Sequence, residues 1–173
     1  MSKGILSWGK PRIIVQKDEE GAIYRELNTP VDDSTNLETT EGDKTEAKIE
    51  GGEIEAVRYD KSTYKLALQI RLKAGDKMPF ENKDGVVSGV YKVWVKPEDA
   101  AAYGFHMAQA HVSVKTSFTA NDGILVDVAF DALSTGGSVA QCQFGMVNIT
   151  EADGNISGIT FEDVLAESEI QTA

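Results

Sequence analysis

The segment TYKLALQIRLK, residues 63–73, alternates between apolar and polar side chains over most of its length. One set of positions carries Tyr64, Leu66, Leu68, Ile70 and Leu72. The intervening set carries Lys65, Ala67, Gln69, Arg71 and Lys73. Because successive side chains of a β-strand point to opposite faces, this pattern predicts a strand with one buried face and one polar face. A chain with such a strand has to supply a second layer that covers the apolar face.

Strand signals recur along most of the chain. Three hairpins are predicted, which join residues 11–16 to 22–27, 51–60 to 63–73 and 107–118 to 124–133, and single strands are predicted at residues 86–96 and 139–149. The turns of these hairpins are KDEEG, DKS and TANDG, which are rich in residues that favour turns. The predicted fold class is therefore mostly β, as an antiparallel β-sandwich or open barrel with one short flanking α-helix and long loops.

The helix is predicted at AAAY, residues 100–103. Pro97 can occupy a first helical turn, and the carboxylates of Glu98 and Asp99 favour the positive end of the helix dipole. The following glycine, Gly104, would end the helix.

The domain organisation follows from the length of the chain and from its polar segments. A chain of 173 residues suits one domain with appendages. We expect a single β-domain over residues 1–150, which carries a long acidic loop or arm at about residues 28–50. Residues 151–173 are expected to form a C-terminal arm or a last strand.

The charge of the chain argues against two classes of partner. The formal net charge is −11, whereas nucleic-acid binding and attraction to anionic membranes both depend on Lys and Arg. We therefore expect no membrane partner and no ordinary nucleic-acid binding. Residues 4–8 are too short for the apolar core of a signal peptide, and Cys142 is alone. These features predict synthesis and folding in the cytoplasm.

No group of catalytic or metal-binding residues can be assembled from the sequence. His106 and His111 are five residues apart, which places them on opposite faces of a strand and disfavours joint metal ligation. Cys142 is interpreted as a small buried residue. Carboxylate pairs such as Asp127 and Asp131 arise by chance in an acidic chain. We expect a protein that is not an enzyme and that holds no cofactor or metal.

Two long polar segments, residues 28–50 and 74–85, accompany the predicted β-core. Long appendages on a small core are typical of a subunit that contacts its neighbours in an assembly. Exposed sheet edges invite pairing with another chain, and repeated pairing between copies can close a ring. With enough strands such a ring is a barrel with an open lumen. The sequence therefore favours self-assembly.

The order of these features resembles that of the major tail tube proteins of bacteriophages and prophages, which are related in fold to the tube protein of type VI secretion. The matching features are an acidic Thr-rich segment, EGGEIEAVRYDKSTYKLALQIRL, a long loop, a strand, PEDAAAYG, and a hairpin across TANDG that ends in FDAL. The resemblance runs from about Leu37 to Leu133.

The resemblance implies a hexameric ring that stacks into a hollow tube in the virion tail. Its partners would be other copies of the chain, a tape measure protein and a terminator protein, with DNA as passing cargo. The subunit would be made in the cytoplasm of a bacterial host. Loops that join neighbouring subunits or adjacent rings would include Asp43, Glu46, Pro79 and Phe80.

Five polar residues are candidates for the wall of such a lumen: Glu53, Glu55, Gln69, Asp127 and Asp131. Carboxylates repel phosphates, so an acidic wall would let a DNA duplex pass without binding it. Lys65 and Arg71 lie on the same predicted strand as Gln69 and count against a purely acidic wall.

Other functions remain open at the level of sequence. A monomeric β-sandwich that binds carbohydrate or protein would present exposed aromatic residues, for which Trp8, Trp94, Tyr91 and Tyr103 are the candidates. Their alternation with apolar neighbours favours a core position for most of them. Another tail part, such as a terminator or connector, would share the same sequence pattern.

Overall fold

The computed structural model describes residues 9–136 and 139–164, which are built from strands and turns. The strands of these residues are β1 Arg12–Lys17, β2 Tyr24–Glu26, β3 Asn36–Thr40, β4 Lys44–Lys48, β5 Ile54–Tyr59, β6 Thr63–Leu72, β7 Asn82–Lys83, β8 Val86–Val87, β9 Tyr91–Lys96, β10 Gly104–Thr119, β11 Gly123–Ala132, β12 Cys142–Ala152 and β13 Asn155–Asp163. Within the same residues no helix has the length and apolar content needed to cross a membrane.

Eleven of these strands form one sheet, and β4 and β5 form a separate pair. The longest path through the sheet runs in the order β2, β1, β9, β10, β11, β6 and β3. β12 pairs with β10 and β13, and β8 pairs with β10 and β7. The path ends at β2 and β3, which do not pair with each other, so the sheet is not closed. The pairings are antiparallel, which confirms the prediction of a mostly antiparallel β-protein.

The long strand β10 belongs to both halves of this sheet. Its first residues, Gly104–Met107, pair with β12 and β9. Its later residues, from Ala110 to Thr119, pair with β11. The register shifts between Met107 and Ala110, where the strand changes partners. This change of partners lets the apolar faces of β1 and β9 pack against those of β6 and β11.

The main core lies between these two halves. The alternation of β6 places Leu66, Leu68 and Ile70 in the core, each at most 3% exposed, which confirms the buried face predicted from sequence. Phe130 on β11 is also fully buried and meets the ring of Phe80 edge-on, with the ring centroids 5.8 Å apart. Burial of apolar surface of this kind is the main force that holds the two halves together.

A second, smaller core covers the other face of β1 and β9. β1 and β9 each contain three consecutive buried apolar residues, so they bury side chains on both faces. Ile14 and Trp94 point away from the main core and pack with Val147 of β12. The hairpin of β12 and β13 therefore acts as a cover for the second face of these two strands.

The predicted helix is wrong. Residues 98–102 form a turn in which the backbone N–H of Ala102 donates to the carbonyl oxygen of Asp99 at 3.1 Å. The side chain of Asp99 also accepts from the backbone N–H of Ala101 at 2.9 Å. Seven residues separate β9 from β10, which is too short for a stable helix and its caps.

The predicted hairpin turn at Asp60-Lys61-Ser62 is also wrong. β5 pairs with β4, and β6 pairs with β3. The tight turn lies instead between β4 and β5, where Gly51 and Gly52 have φ angles of 96° and 84°. Glycine adopts such angles without steric cost, which explains the EGGE sequence at this position. The segment of residues 28–50, expected as a loop or arm, contains the two regular strands β3 and β4.

Candidate functional site

Three of the five candidate lumen residues share one surface. We call the side of β3, β6, β11 and residues 110–119 of β10 that points away from the main core the outer face. Gln69 and Asp127 are cross-strand neighbours there, and the side-chain amide of Gln69 donates to Asp127 Oδ1 at 2.8 Å. Asp131 lies on the same face of β11, opposite Lys65. The period of two along each strand brings these residues together.

The outer face carries equal numbers of cationic and anionic side chains. They are Lys65, Arg71 and Lys115 against Glu38, Asp127 and Asp131. Lys65 lies between Glu38 on one neighbouring strand and Asp131 on the other. Lys115 lies opposite Asp127. Opposite charges on adjacent strands attract each other. Because the cationic and anionic side chains are equal in number, these residues give the outer face no excess of negative charge.

The other two lumen candidates lie on a separate projection. We call residues 41–62 the arm, which consists of β4, β5 and their connections. Glu55 is exposed on β5, and Glu53 is exposed in the turn that precedes it. The loop candidates Asp43 and Glu46 belong to the same arm. The structure therefore divides the lumen candidates between two surfaces and joins two loop candidates to the arm.

The arm exposes apolar side chains. Ile49, Ile54, Val57 and Tyr59 are all exposed, and Tyr59 is 68% exposed. Val57 and Tyr59 lie on one face, where their cross-strand neighbours are Glu46 and Lys44. No described residue of the arm belongs to either core. An isolated two-stranded hairpin is marginally stable in water, so this element has the composition of a docking surface that its own chain does not cover.

Charged residues organise one face of the arm. Lys44 Nζ lies 2.7 Å from Glu46 Oε1 and 5.9 Å from the centroid of the Tyr59 ring. Lys48 Nζ lies 3.9 Å from the other oxygen of Glu46. Exposed pairs of this kind contribute little to stability. They place charged groups beside Val57 and Tyr59.

The junction between the arm and the sheet is narrow. The backbone N–H of Asp60 donates to the carbonyl oxygen of Asp43 at 2.8 Å. A Cβ atom at Gly42 would lie 2.0 Å from the carbonyl oxygen of Asp60, so a side chain does not fit there. The ribbon of β3 and β6 therefore continues into the arm through a close backbone contact.

The other two loop candidates lie inside the fold. Phe80 is fully buried, and its ring meets Tyr91 edge-on with the centroids 5.1 Å apart. Pro79 is buried as well, and its carbonyl oxygen accepts from Arg25 Nη2 at 2.7 Å. The loop of residues 73–81 therefore anchors itself to the core through these two residues.

The groups that could support catalysis are dispersed. His106 stacks on Trp94 with ring centroids 4.8 Å apart, and burial lowers the pKa of its imidazole. Burial raises the pKa of the Cys142 thiol to about 12. His111 lies apart from both, exposed on the outer face. Across residues 9–136 and 139–164 no three His, Cys, Asp or Glu side chains are grouped as metal ligands.

A groove of about 560 Å³ opens at one end of the main core. Leu37 and Phe105 contribute apolar surface to it, and Asp32, Asp33 and Glu98 contribute carboxylates. Tyr103, one of the aromatic residues considered from sequence, also lines this groove and is exposed.

The remaining aromatic candidates have structural positions or lie outside the described residues. Trp94 is buried and Tyr91 is half-buried, as their alternation predicts. Trp8 lies outside the described residues. The exposed apolar residues of the arm were not predicted from sequence, because the carboxylates of EIEAVRY indicate a solvated strand and mask the apolar residues between them.

Comparisons with protein-family models and with curated protein sequences find no match for this chain.

Proposed function

We propose that this protein is a structural subunit that assembles with copies of itself into the hollow tail tube of a virion. It acts as a building block and not as an enzyme. It is made in the cytoplasm of a bacterial host and meets the tape measure and terminator proteins of the tail as the tube is built. The arm is the observation that carries this proposal, because it exposes Val57 and Tyr59 and contributes to neither core.

The finer architecture in this proposal is an open sandwich or barrel that neighbouring copies complete. Two observations support it. The two halves of the sheet pack over one core, and its path ends at β2 and β3, each of which pairs with one neighbour only. A strand at the edge of a sheet presents unpaired backbone groups to any strand that approaches it. Identical subunits that pair such edges in sequence form a closed ring, and the resemblance in element order implies six subunits.

In the proposed tube the outer face lines the lumen, and DNA passes along it without binding. Binding to a DNA duplex depends on cations that neutralise its phosphates. On the outer face each of Lys65 and Lys115 has a carboxylate neighbour, Asp131 and Asp127. Glu53 and Glu55 belong to the arm, and we propose that they act in contacts between subunits and not in the lumen.

The proposal is tested by following self-association with concentration. Purified protein is examined by sedimentation velocity and by negative-stain electron microscopy from low micromolar to millimolar concentration. We expect rings, and stacked rings at the highest concentrations. A protein that stays monomeric throughout this range contradicts the proposal.

The lumen assignment has its own test. Substitution of Asp127→Asn together with Asp131→Asn removes the carboxylate opposite Lys115 and the carboxylate opposite Lys65. Asn at position 127 keeps the acceptor for Gln69, so the fold should be preserved. We expect tubes of this variant to retain DNA at low salt, and tubes of the unmodified protein not to retain it. Equal retention by both proteins would place the outer face away from the DNA path.

The groove favours a second candidate, a monomeric binding module. Its exposed Tyr103 and its carboxylates, such as Asp32 and Asp33, are groups that can stack on and hydrogen-bond to a sugar. Screening a glycan array with the purified protein tests this function. Saturable binding that is lost on Phe105→Ala, by a protein that remains monomeric, would replace the tube assignment.

A further inference from the structure

A second exposed apolar surface lies at the far end of β6 from the arm. Phe118 pairs across strands with Ile124, and Ile124 pairs with Leu72. These three residues form a row at the end of the core-facing side of the sheet, where Leu72 still packs against the main core. We call this row the distal patch. Phe118 is 72% exposed, Ile124 is exposed, and Leu72 is half-buried. The patch therefore offers apolar surface that the core does not cover.

The arm and the distal patch are at opposite ends of one strand. β6 begins at Thr63, beside the arm, and ends at Leu72, in the patch. Its ten residues span roughly 30 Å at the rise of an extended strand. The arm of a chain therefore lies far from the patch of the same chain. A contact between these two surfaces requires two molecules.

The two surfaces differ in charge. The arm, residues 41–62, contains seven acidic and four basic residues. Beside the patch lie three basic residues, Arg71 at the end of β6 and Lys73 and Lys77 in the loop that follows. Three acidic residues accompany them: Asp76, Asp122 in the neighbouring turn, and Asp32, which lines the same groove as Arg71 and Lys73. Copies of a chain with a net charge of −11 repel each other in general. An end with balanced charge therefore repels the acidic arm less than a surface with excess negative charge does.

We propose that the arm of one molecule packs Val57 and Tyr59 on the distal patch of the next molecule, in a head-to-tail contact along the direction of β6. The two surfaces differ, so the contact is heterologous and each molecule can make it twice, once with its arm and once with its patch. This inference rests on the proposed self-assembly and identifies the surface that receives the arm. In a tube it joins successive rings.

Two variants test the contact on the full-length protein. The first carries Val57→Ser and Tyr59→Ser in the arm, and the second carries Phe118→Ser in the patch. All three side chains are exposed, so both variants should fold. Ile23→Ser is the matched control, because Ile23 is 75% exposed and lies outside both surfaces. We expect each variant to need at least tenfold more protein than the control for stacking, measured by sedimentation velocity and negative-stain microscopy.

Mixing the two variants separates a heterologous contact from other arrangements. The arm variant keeps its patch and the patch variant keeps its arm, so a mixture regains one contact at each mixed interface. We expect the mixture to form paired assemblies that neither variant forms alone. Loss of association in Phe118→Ser but not in the arm variant would indicate patch-to-patch pairing and overturn the proposal. Stacking of both variants at the concentration of the control would overturn it as well.

The same experiment distinguishes this contact from the proposed function. Tubes formed equally by the unmodified protein and by both variants leave the tube assignment standing and exclude the contact. Pairing in the mixture, with no rings from the unmodified protein, supports the contact and excludes the tube. Monomers in every sample overturn both.

Discussion

Two hairpins of similar construction pack differently in this protein. The hairpin of β12 and β13 turns at Asp153-Gly154, and the arm turns at Gly51-Gly52, all with positive φ. Both contain apolar side chains at alternate positions. The first packs Val147 on the second face of β1 and β9. The second contributes to neither core within the described residues.

A hairpin becomes part of a core when the rest of the chain offers it an apolar face. β1 and β9 have two such faces because Ile14 and Trp94 lie among buried neighbours on the opposite side. Nothing equivalent lies beside the arm in the described part of the chain. The arm therefore retains apolar surface for another molecule.

Trp94→Ala gives the largest expected effect. Trp94 packs on Tyr24 and His106 at the centre of the second core, so its removal leaves a cavity under the hairpin of β12 and β13. We expect the free energy of unfolding to fall by about 3–5 kcal/mol. Tyr59→Ala in the arm should change it by less than about 0.5 kcal/mol. Urea unfolding measures both, and equal losses would remove the contrast between the two hairpins.

Gly42→Ala should act on the arm. Its Cβ would lie 2.0 Å from the carbonyl oxygen of Asp60, so the junction has to open, at a cost of about 1–3 kcal/mol. Gly158→Ala is the control, because a Cβ there has no atom within 4 Å. We expect faster amide exchange at Asp60 in the first variant and little change in the second. Unchanged exchange at Asp60 would show that the arm is not held by this contact.

Arg12→Gln should loosen the docked hairpin. Arg12 donates to Glu26 of β2 and to Glu151 of β12, both at 2.7 Å, and these hydrogen bonds raise the pKa of its guanidinium. The site is partly exposed, and solvent screening limits the expected loss to about 1 kcal/mol. Lys17→Gln, which breaks the looser pair with Glu19 at 3.6 Å, should cost less. A loss that is independent of salt would argue against an electrostatic role.

Protonation of His106 should weaken the docked hairpin by the smallest amount. Burial first, and then the charge of Lys92, lower the pKa of His106 below its ordinary value of 6.5. Between this lowered pKa and 6.5 the unfolded chain therefore binds more protons at this residue than the folded chain does. Stability is lost as the pH falls through that range. We expect this part of the pH dependence between pH 7.5 and 5.5 to disappear in His106→Gln and to persist in His111→Gln. Identical pH profiles for all three proteins would contradict this role.

Much of the main core could be predicted from sequence because it depends on local periodicity. The alternation of β6 predicted the buried positions Leu66, Leu68 and Ile70, and the hairpin of β10 and β11 forms around the predicted TANDG turn. The same alternation places Gln69 and Asp127 on one face. Such assignments need the strand period and nothing distant in sequence.

The pairing of the arm could not be predicted in this way. Asp60-Lys61-Ser62 and Gly51-Gly52 both have the composition of turns, and the choice between them depends on which strands come into register. Phe80 was expected at a contact between subunits, because a single aromatic residue in a polar loop has no periodicity that indicates burial. Its position depends on the ring of Phe130, fifty residues later in the chain.

The buried thiol of Cys142 has a practical consequence. With a pKa of about 12, almost none of this thiol is ionised at neutral pH, and the side chain is enclosed. A cysteine introduced at Tyr59 or Phe118 would thus be the reactive one in the native protein. Fluorophores attached there would report how far apart neighbouring molecules hold these positions, while the natural residue stays unmodified.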